Sequence, residues 1–472
     1  MKTLVEEEDR ISQLPNDILV NILSLVNIVE AASTCILSKR WQYMWTHVNA
    51  LNFYSPKMVR AIEKVSKDVT YVRTDEYVDL VNRVMQLHQG PCITNFIVFF
   101  LMTGREFRCD IDEWFSFAIR KSVQRLEFNL SGSTLLGGRT ERNIVGFTRV
   151  VPLPNKLYSL TDKVYSLVKS PYGLSCMQSL TQLSLTCVNV TGELIERFLS
   201  NCPLLLGLRV CFSQCLVNLK VAGPSLCLKF LEISRCPLLD TVDIYAPNLA
   251  SLICLGLEKW TRVLVRHAPL LADLTVECHG PHGGFLNDML ASCFWQLESL
   301  TLSFDFGRDT FTPPPLPEFT NLKNLTFTGF ANEEDSFLDW TCLIERSPVL
   351  LTFTLKLMSP KRIRRQIQNR TTESRLHRCL EVVTFVGNID FELLHCALQH
   401  AGGLRTIIVD CRPPSLEPWQ EFKENDSSME LRNHALNLKR QLPSQVDVVC
   451  HGVAQTRELL LMFSNTLKKL EA

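Results

Sequence analysis

The sequence predicts an α/β chain in which a short three-helix module leads into a curved solenoid with a mainly parallel sheet. Three observations predict it: an amphipathic helical stretch between residues 9 and 50, an apolar hexamer that recurs in phase between residues 180 and 409, and prolines that punctuate that phase at matching places. A chain of 472 residues has room for two or three compact units or one repetitive one. Hydrophobic residues make up 46% and charged residues 21%, which supports a large core and argues against wholesale disorder.

The helical module opens at Asp9-Arg10-Ile11-Ser12-Gln13-Leu14-Pro15. Pro15 suits the first helical position, Asp17 complements the positive helix end, and Ile18, Leu19, Ile22, Leu23 and Val26 form one stripe at helical spacing. A second helical stretch, Val29 to Cys35, leads into Leu37-Ser38-Lys39-Arg40-Trp41-Gln42-Tyr43-Met44-Trp45. Three short helices in so few residues bury too little apolar surface to stand alone, so a partner is expected.

The hexamer reads apolar, two variable, apolar, one variable, apolar. It appears as Leu180-Leu183-Leu185, Leu205-Leu208-Val210, Leu228-Leu231-Ile233, Leu249-Leu252-Cys254 and Leu271-Leu274-Val276, and continues through Leu297, Leu322, Leu350, Leu380 and Leu404. The last two apolar positions sit two apart and share one face of a short strand. The spacing of successive copies is essentially the 20–29-residue period of a leucine-rich repeat. Weaker copies fall halfway through three units, at Leu216-Leu219-Val221, Leu239-Val242-Ile244 and Trp260-Val263-Val265, where the half-unit is too short for a helical return and predicts an extended outer wall. Beyond 276 the longer units have room for helices, as at Phe337 to Ile344. Proline marks the turn before the strand at Cys202-Pro203, Cys236-Pro237, Ala268-Pro269 and Ser347-Pro348.

Eighteen cysteines accompany these repeats. No two are spaced Cys-x-x-Cys, and Cys187, Cys236, Cys278 and Cys411 follow strands at nearly equivalent places, so buried structural thiols are expected rather than disulfides or metal ligands. The acidic run Glu6 to Asp9 stands where an export signal would carry basic then apolar residues, and the apolar run Phe96 to Met102 falls far short of the roughly 20 residues of a membrane-spanning helix. A soluble protein of the cytoplasm and/or nucleus is expected, with no membrane partner.

Asp9 to Ser12, Leu14-Pro15, Ser38 to Trp41 and Trp45 resemble the F-box of plant F-box proteins with leucine-rich repeats. Tyr77 to Val84, Pro91 to Ile93, and Asp110 to Trp114 through Leu126 are similar to the linking region of that family, and Leu380 to Asp410 to its FBD-type segment. The division expected is an F-box at 9–50, a linking region with first irregular repeats at 51–175, a solenoid at 176–411 with the FBD-like segment at 379–411, and a closing segment at 412–472. Within the last, Met429 to Leu442 reads as helix and Val446 to Cys450 as an end strand. The resemblance implies the specificity subunit of an SCF-type ubiquitin ligase, docked on a Skp-type adaptor and through it on cullin and RING subunits, while the repeats bind a target protein whose identity is not written in the sequence. The docking residues expected are Leu14, Pro15, Ile18, Leu19, Ile22, Leu23, Leu37, Trp41 and Trp45, since aromatic and aliphatic anchors are what helical interfaces use. Two other classes stay open: a solenoid interaction protein without ubiquitin transfer, and a sensor that takes a small ligand on the concave repeat face.

Other clusters carry weaker chemistry. Lys361, Arg362, Arg364 and Arg365 begin a basic tract that runs to Arg378 with Glu373 its one acid, which reads as a solvated loop, a nuclear-localisation tract or a dock for an acidic partner. Forty-nine basic residues balance forty-nine acidic ones, so a nucleic-acid partner is not expected. Cys278, His279 and His282 lie close together, but Gly283-Gly284 follow and no metal is expected. Thr312 to Pro317 reads as a stiff connection, and Gly137 to Arg142 as part of a long insertion. The phosphate-loop, dinucleotide, zinc-protease and nucleophile-elbow motifs are all missing, so neither catalytic residues nor a cofactor are expected.

Overall fold

The computed structural model describes residues 11–54, 67–100, 107–131, 158–223, 226–257, 260–278, 284–305, 318–330, 341–358, 379–387, 403–410 and 447–451, apart from residues 12, 161, 171–172 and 174–175. The chain divides into two compact units with the boundary after Glu232.

In the first unit the helix Asn16–Leu23 has Pro15 at its N-cap position and so begins one residue later than the sequence suggests, and it carries Asp17 in its first turn. The helix Ile28–Ser33 is capped by the side chain of Asn27, which accepts from the Glu30 amide at 3.0 Å. The third helical piece takes the tighter 3₁₀ form at Trp41–His47, after a 3₁₀ turn at Thr34–Ile36. Immediately beyond it, Val48, Leu51 and Phe53 bury as the first apolar hexamer, and Ala50–Asn52 becomes the first strand. That strand pairs in parallel with Asn95–Phe99, and the ladder continues through Arg125–Asn129, Gln182–Thr186 and Gly207–Cys211. Ile93-Phe96-Val98 and Val123-Leu126-Phe128 repeat the same buried hexamer with few leucines. The ladder therefore runs well ahead of the regular leucine phase.

Helices Lys67–Leu87 and Arg108–Arg120 fill the long early connections. Their contact is a hydrogen-bonded core: Trp114 Nε1 donates to Asn82 Oδ1 at 2.7 Å, and Asn82 Nδ2 donates to Asp110 Oδ1 at 2.7 Å. Tyr77 is fully buried, stacks on Phe100 at 4.1 Å and accepts from the Phe99 amide at 3.2 Å. Burial pushes its phenol well above the ordinary range.

The second unit continues with parallel strands at Ser251–Leu255, Asp273–Cys278, Ser299–Asp305, Asn324–Phe330, Thr352–Met358, Val382–Gly387, Thr406–Asp410 and Asp447–His451, each paired with the next in chain order. The expected outer wall forms: Thr241–Tyr245 pairs in parallel with Arg262–His267, and the first unit's half-repeat makes the strand Asn218–Ala222. Helices Gly284–Cys293 and Thr341–Glu345 occupy the longer units. Met429 to Leu442 lies outside the described residues.

Prolines do what their spacing predicts. Leu205, Leu239, Leu271 and Leu350 each return a backbone N–H to the carbonyl three residues back, of Cys202, Cys236, Ala268 and Ser347, at 3.0–3.1 Å. At the other end of the strands, Cys187, Phe212, Arg235 and Gly256 adopt φ of 59°, 58°, 52° and 58°. A left-handed residue thus follows each of four successive strands, a position where only Gly256 avoids steric strain. Cys187 sits on this left-handed residue, Cys236 one place later, and both are buried.

Candidate docking surface and sheet face

The apolar stripe of the first helix divides in two. Leu19 and Leu23, four residues apart, are buried with Trp41 inside the module, whereas Ile18 and Ile22, also four apart, are 40% and 42% exposed. Leu14 and Trp45 are half-buried, and Pro15 and Leu37 are exposed. Three of the nine expected docking residues thus build the module's own core, and the outward set is larger than expected: Ile11, Leu25, Val26, Val29, Ile36 and Tyr43 are exposed too. Nine of the twenty exposed large apolar side chains among the described residues fall between 11 and 43. The presence of two apolar rows on one short helix was the signal that one row faces out.

Arg40, which the sequence offers only as part of the Ser38-to-Trp41 motif, holds this surface in place. Its guanidinium donates to Asn16 Oδ1 at 2.8 Å and 3.1 Å and to the Leu14 carbonyl, tying the end of the module to the entry of its first helix. Hydrogen bonds also join the module to the segment between residues 88 and 94. The Gln89 amide donates to the Thr46 carbonyl at 2.8 Å, Thr94 Oγ1 to the Asn49 carbonyl at 2.8 Å, and His88 Nε2 lies 2.9 Å from the Val48 carbonyl. Burial lowers the His88 pKa, which favours the neutral ring here. Support for these helices comes from the unit itself, and their outward apolar row remains uncovered.

An F-box domain model matches residues 11–52, and the LRR domain model of the At1g61320/AtMIF1 type matches residues 84–437. The chain belongs to the plant F-box/LRR family. Among similar Arabidopsis thaliana proteins, F-box/FBD/LRR-repeat protein At1g13570 is 29% identical, over 54% of this chain and 55% of its own length. F-box/LRR-repeat protein At3g03360 is 26% identical, over 64% of this chain and 60% of its own. FBD-associated F-box protein At4g10400 is 31% identical, over 44% of this chain and 46% of its own. The chain spans roughly two-fifths to three-fifths of the length of the curated relatives it matches.

In this F-box/LRR chain the leucines of each strand point one way and the residues between them the other. On the face opposite the leucines, the first unit carries charge. Arg125 Nη2 lies 2.9 Å from Glu127 Oε2, and Arg209 Nε lies 2.5 Å from Glu232 Oε2, with Arg209 set over the Phe230 ring at 5.6 Å. Burial opposes the Arg209 charge, yet Glu232 holds its pKa above the ordinary value. In the second unit the same face carries hydroxyls. Thr275, Thr301, Thr326, Thr354 and Thr384 stand in register across five strands.

Of the thirteen cysteines whose side chains are described, seven are buried. Burial pushes the thiols of Cys187, Cys202 and Cys293 up to about 12, which removes their thiolate character. The side chain of Cys278, with His279 and His282, lies outside the described residues, as do Lys361, Arg362, Arg364, Arg365, Thr312 to Pro317 and Gly137 to Arg142. Among the described residues, no group of three or more His, Cys, Asp or Glu could hold a metal ion, and no helix is long and apolar enough to cross a membrane.

Proposed function

We propose that this chain is the substrate-recognition subunit of an SCF-type ubiquitin ligase, docking through its F-box on a Skp-type adaptor and presenting its repeats to a target protein. The observation that carries the reading is the uncovered apolar row of the module, Ile18, Ile22, Leu25, Val29, Ile36 and Leu37, held on a supported scaffold. Exposed apolar clusters of this kind mark protein interfaces. The mechanism is approximation without chemistry of its own: cullin and RING subunits arrive through the adaptor, and the repeats raise the effective concentration of target lysines near charged ubiquitin. Its place of work on this reading is the cytoplasm or nucleus.

The test is co-purification of the full chain with a Skp-type adaptor. Ile18→Asp with Ile22→Asp places two charges on the exposed row and leaves Leu19, Leu23 and Trp41 untouched, so the chain stays folded and adaptor recovery falls at least tenfold. Undiminished recovery would remove the docking assignment. Reconstituted ubiquitin transfer then separates the ligase from an F-box assembly that transfers nothing.

A further inference from the structure

One row of the second unit's sheet is unlike its neighbours. Ser303, Thr328 and Lys356 are adjacent in register on three consecutive parallel strands, Ser299–Asp305, Asn324–Phe330 and Thr352–Met358. All three lie on the face opposite the buried leucines Leu300, Leu302 and Leu325. Ser303 is 2% exposed and Thr328 1% exposed, and neither Ser303 Oγ nor Thr328 Oγ1 has a hydrogen-bond partner among the described residues. Two buried hydroxyls left without partners on adjacent strands are uncommon, because each forfeits its hydrogen bonds to water. Beside them is a partly buried ammonium that makes no ion pair among the described residues. At one end of the row Glu277, in register with Ser303, has its own cation in Arg235 at 3.6 Å. On the other side of Lys356 comes Val386, which offers no charge, and then Asp410.

We propose that Ser303, Thr328 and Lys356 form a binding site for one oxyanion group, a carboxylate or a phosphate, carried by what the repeat face recognises. Neighbouring parallel strands stand about 4.8 Å apart, so the three donors line up along roughly 10 Å of one face. Two rotatable hydroxyls can turn their hydrogens to one anion while the lysine stem brings a positive charge over it. Such an anion answers both unmet hydroxyls and restores the ammonium that burial disfavours, consistent with the lowered Lys356 pKa. A neutral or cationic ligand answers neither. The inference refines the target-binding half of the function proposed above and rests on it only there, since oxyanion binding requires no adaptor.

The experiment uses the full chain without adaptor. Inorganic phosphate and acetate are titrated calorimetrically at constant ionic strength against wild type, Lys356→Met and Thr328→Val, with circular dichroism confirming that each variant folds. Wild type should bind at least one probe saturably, and both variants should lose at least tenfold in affinity. Tighter phosphate binding assigns a phosphorylated ligand, and tighter acetate binding a carboxylate. Absence of saturable binding by wild type, or a variant that binds within tenfold of it, overturns the proposal. Should a variant fail to fold, protection of Lys356 in wild type from an amine-acylating reagent, read by mass spectrometry with and without the probe, decides the same question. Unchanged labelling at saturating probe overturns it. Because the F-box takes no part, failure here leaves adaptor docking standing, and failure of docking leaves this result intact.

Discussion

The sheet faces of the two units share a backbone plan and differ in chemistry. In the first, Arg125 and Glu127 pair along one strand and Arg209 reaches Glu232, so buried charge is largely answered from within. In the second, the pair Arg235–Glu277 shares the face with five threonines in register, and Lys356 stands beside two hydroxyls that have no partner among the described residues. The leucine side is alike in both: Leu183, Leu185, Leu300 and Leu302 are each 1% exposed or less. Repetition constrains the packed side, where each buried leucine contributes about 1.5–3 kcal/mol, and leaves the other side free to diverge. The first face is built to close on itself and the second to accept something.

The largest expected effect probes closure. Glu232 is buried, and Arg209→Ala removes the guanidinium that lies 2.5 Å from its carboxylate. The loss should approach 3 kcal/mol or more, read as a drop in the denaturation midpoint. Arg209→Met with Glu232→Leu should recover most of it, since removing both charges costs far less than orphaning one. If the single variant costs under about 1 kcal/mol, the pair is in effect solvated and the contrast between the faces disappears.

Much of this plan was legible in the sequence because leucine spacing, proline placement and half-unit length are local signals. The strands from Gln182 to Asp410 and the outer wall at Thr241–Tyr245 and Arg262–His267 fall where the hexamers lie. The early ladder was harder to see. Val48-Leu51-Phe53, Ile93-Phe96-Val98 and Val123-Leu126-Phe128 obey the same hexamer, but aromatic and β-branched residues replace leucine and long helices separate the copies. At the docking module the sequence marked an apolar stripe without dividing it, because one helix turn presents Ile18 outward and Leu19 inward, and only packing against Trp41 decides which is which. Arg40 was invisible for another reason: its partners, Asn16 and Leu14, lie more than twenty residues away. The row Ser303-Thr328-Lys356 depends on register between strands that no local pattern reports.

A smaller effect tests the second unit's face. Burial holds the Lys356 ammonium below its ordinary pKa of 10.5, so the folded chain releases that proton at lower pH than the unfolded chain does. Between the two pKa values the unfolded state binds more protons, and stability therefore rises with pH through that window; below it the full penalty applies. Its in-register neighbours Thr328 and Val386 do not titrate there, and Glu277 is engaged with Arg235. Lys356→Met should stabilise the chain at neutral pH by roughly 0.5–2 kcal/mol, the usual scale of removing one unfavourable charge. That advantage should shrink as pH climbs toward 10.5. A variant less stable than wild type at about pH 7 would show that the lysine already has a stabilising partner, which would align this face with the first.

The smallest expected effect concerns the threonine row. Thr326 is half-buried between Thr301 and Thr354, and its β-branch suits a pleated strand whether or not the hydroxyl is kept. Thr326→Val should change stability by no more than about 0.5 kcal/mol. Thr301→Arg with Thr326→Glu, which writes the first unit's chemistry onto the second, should gain at most about 1 kcal/mol from the new pair, because both positions are only half-buried whereas Glu232 is buried. A double-variant cycle in chemical denaturation measures that coupling directly. Coupling near the roughly 3 kcal/mol expected at Arg209 would mean that both faces shield charge equally, and that the difference between them lies in residue choice alone rather than in how deeply each strand face is buried.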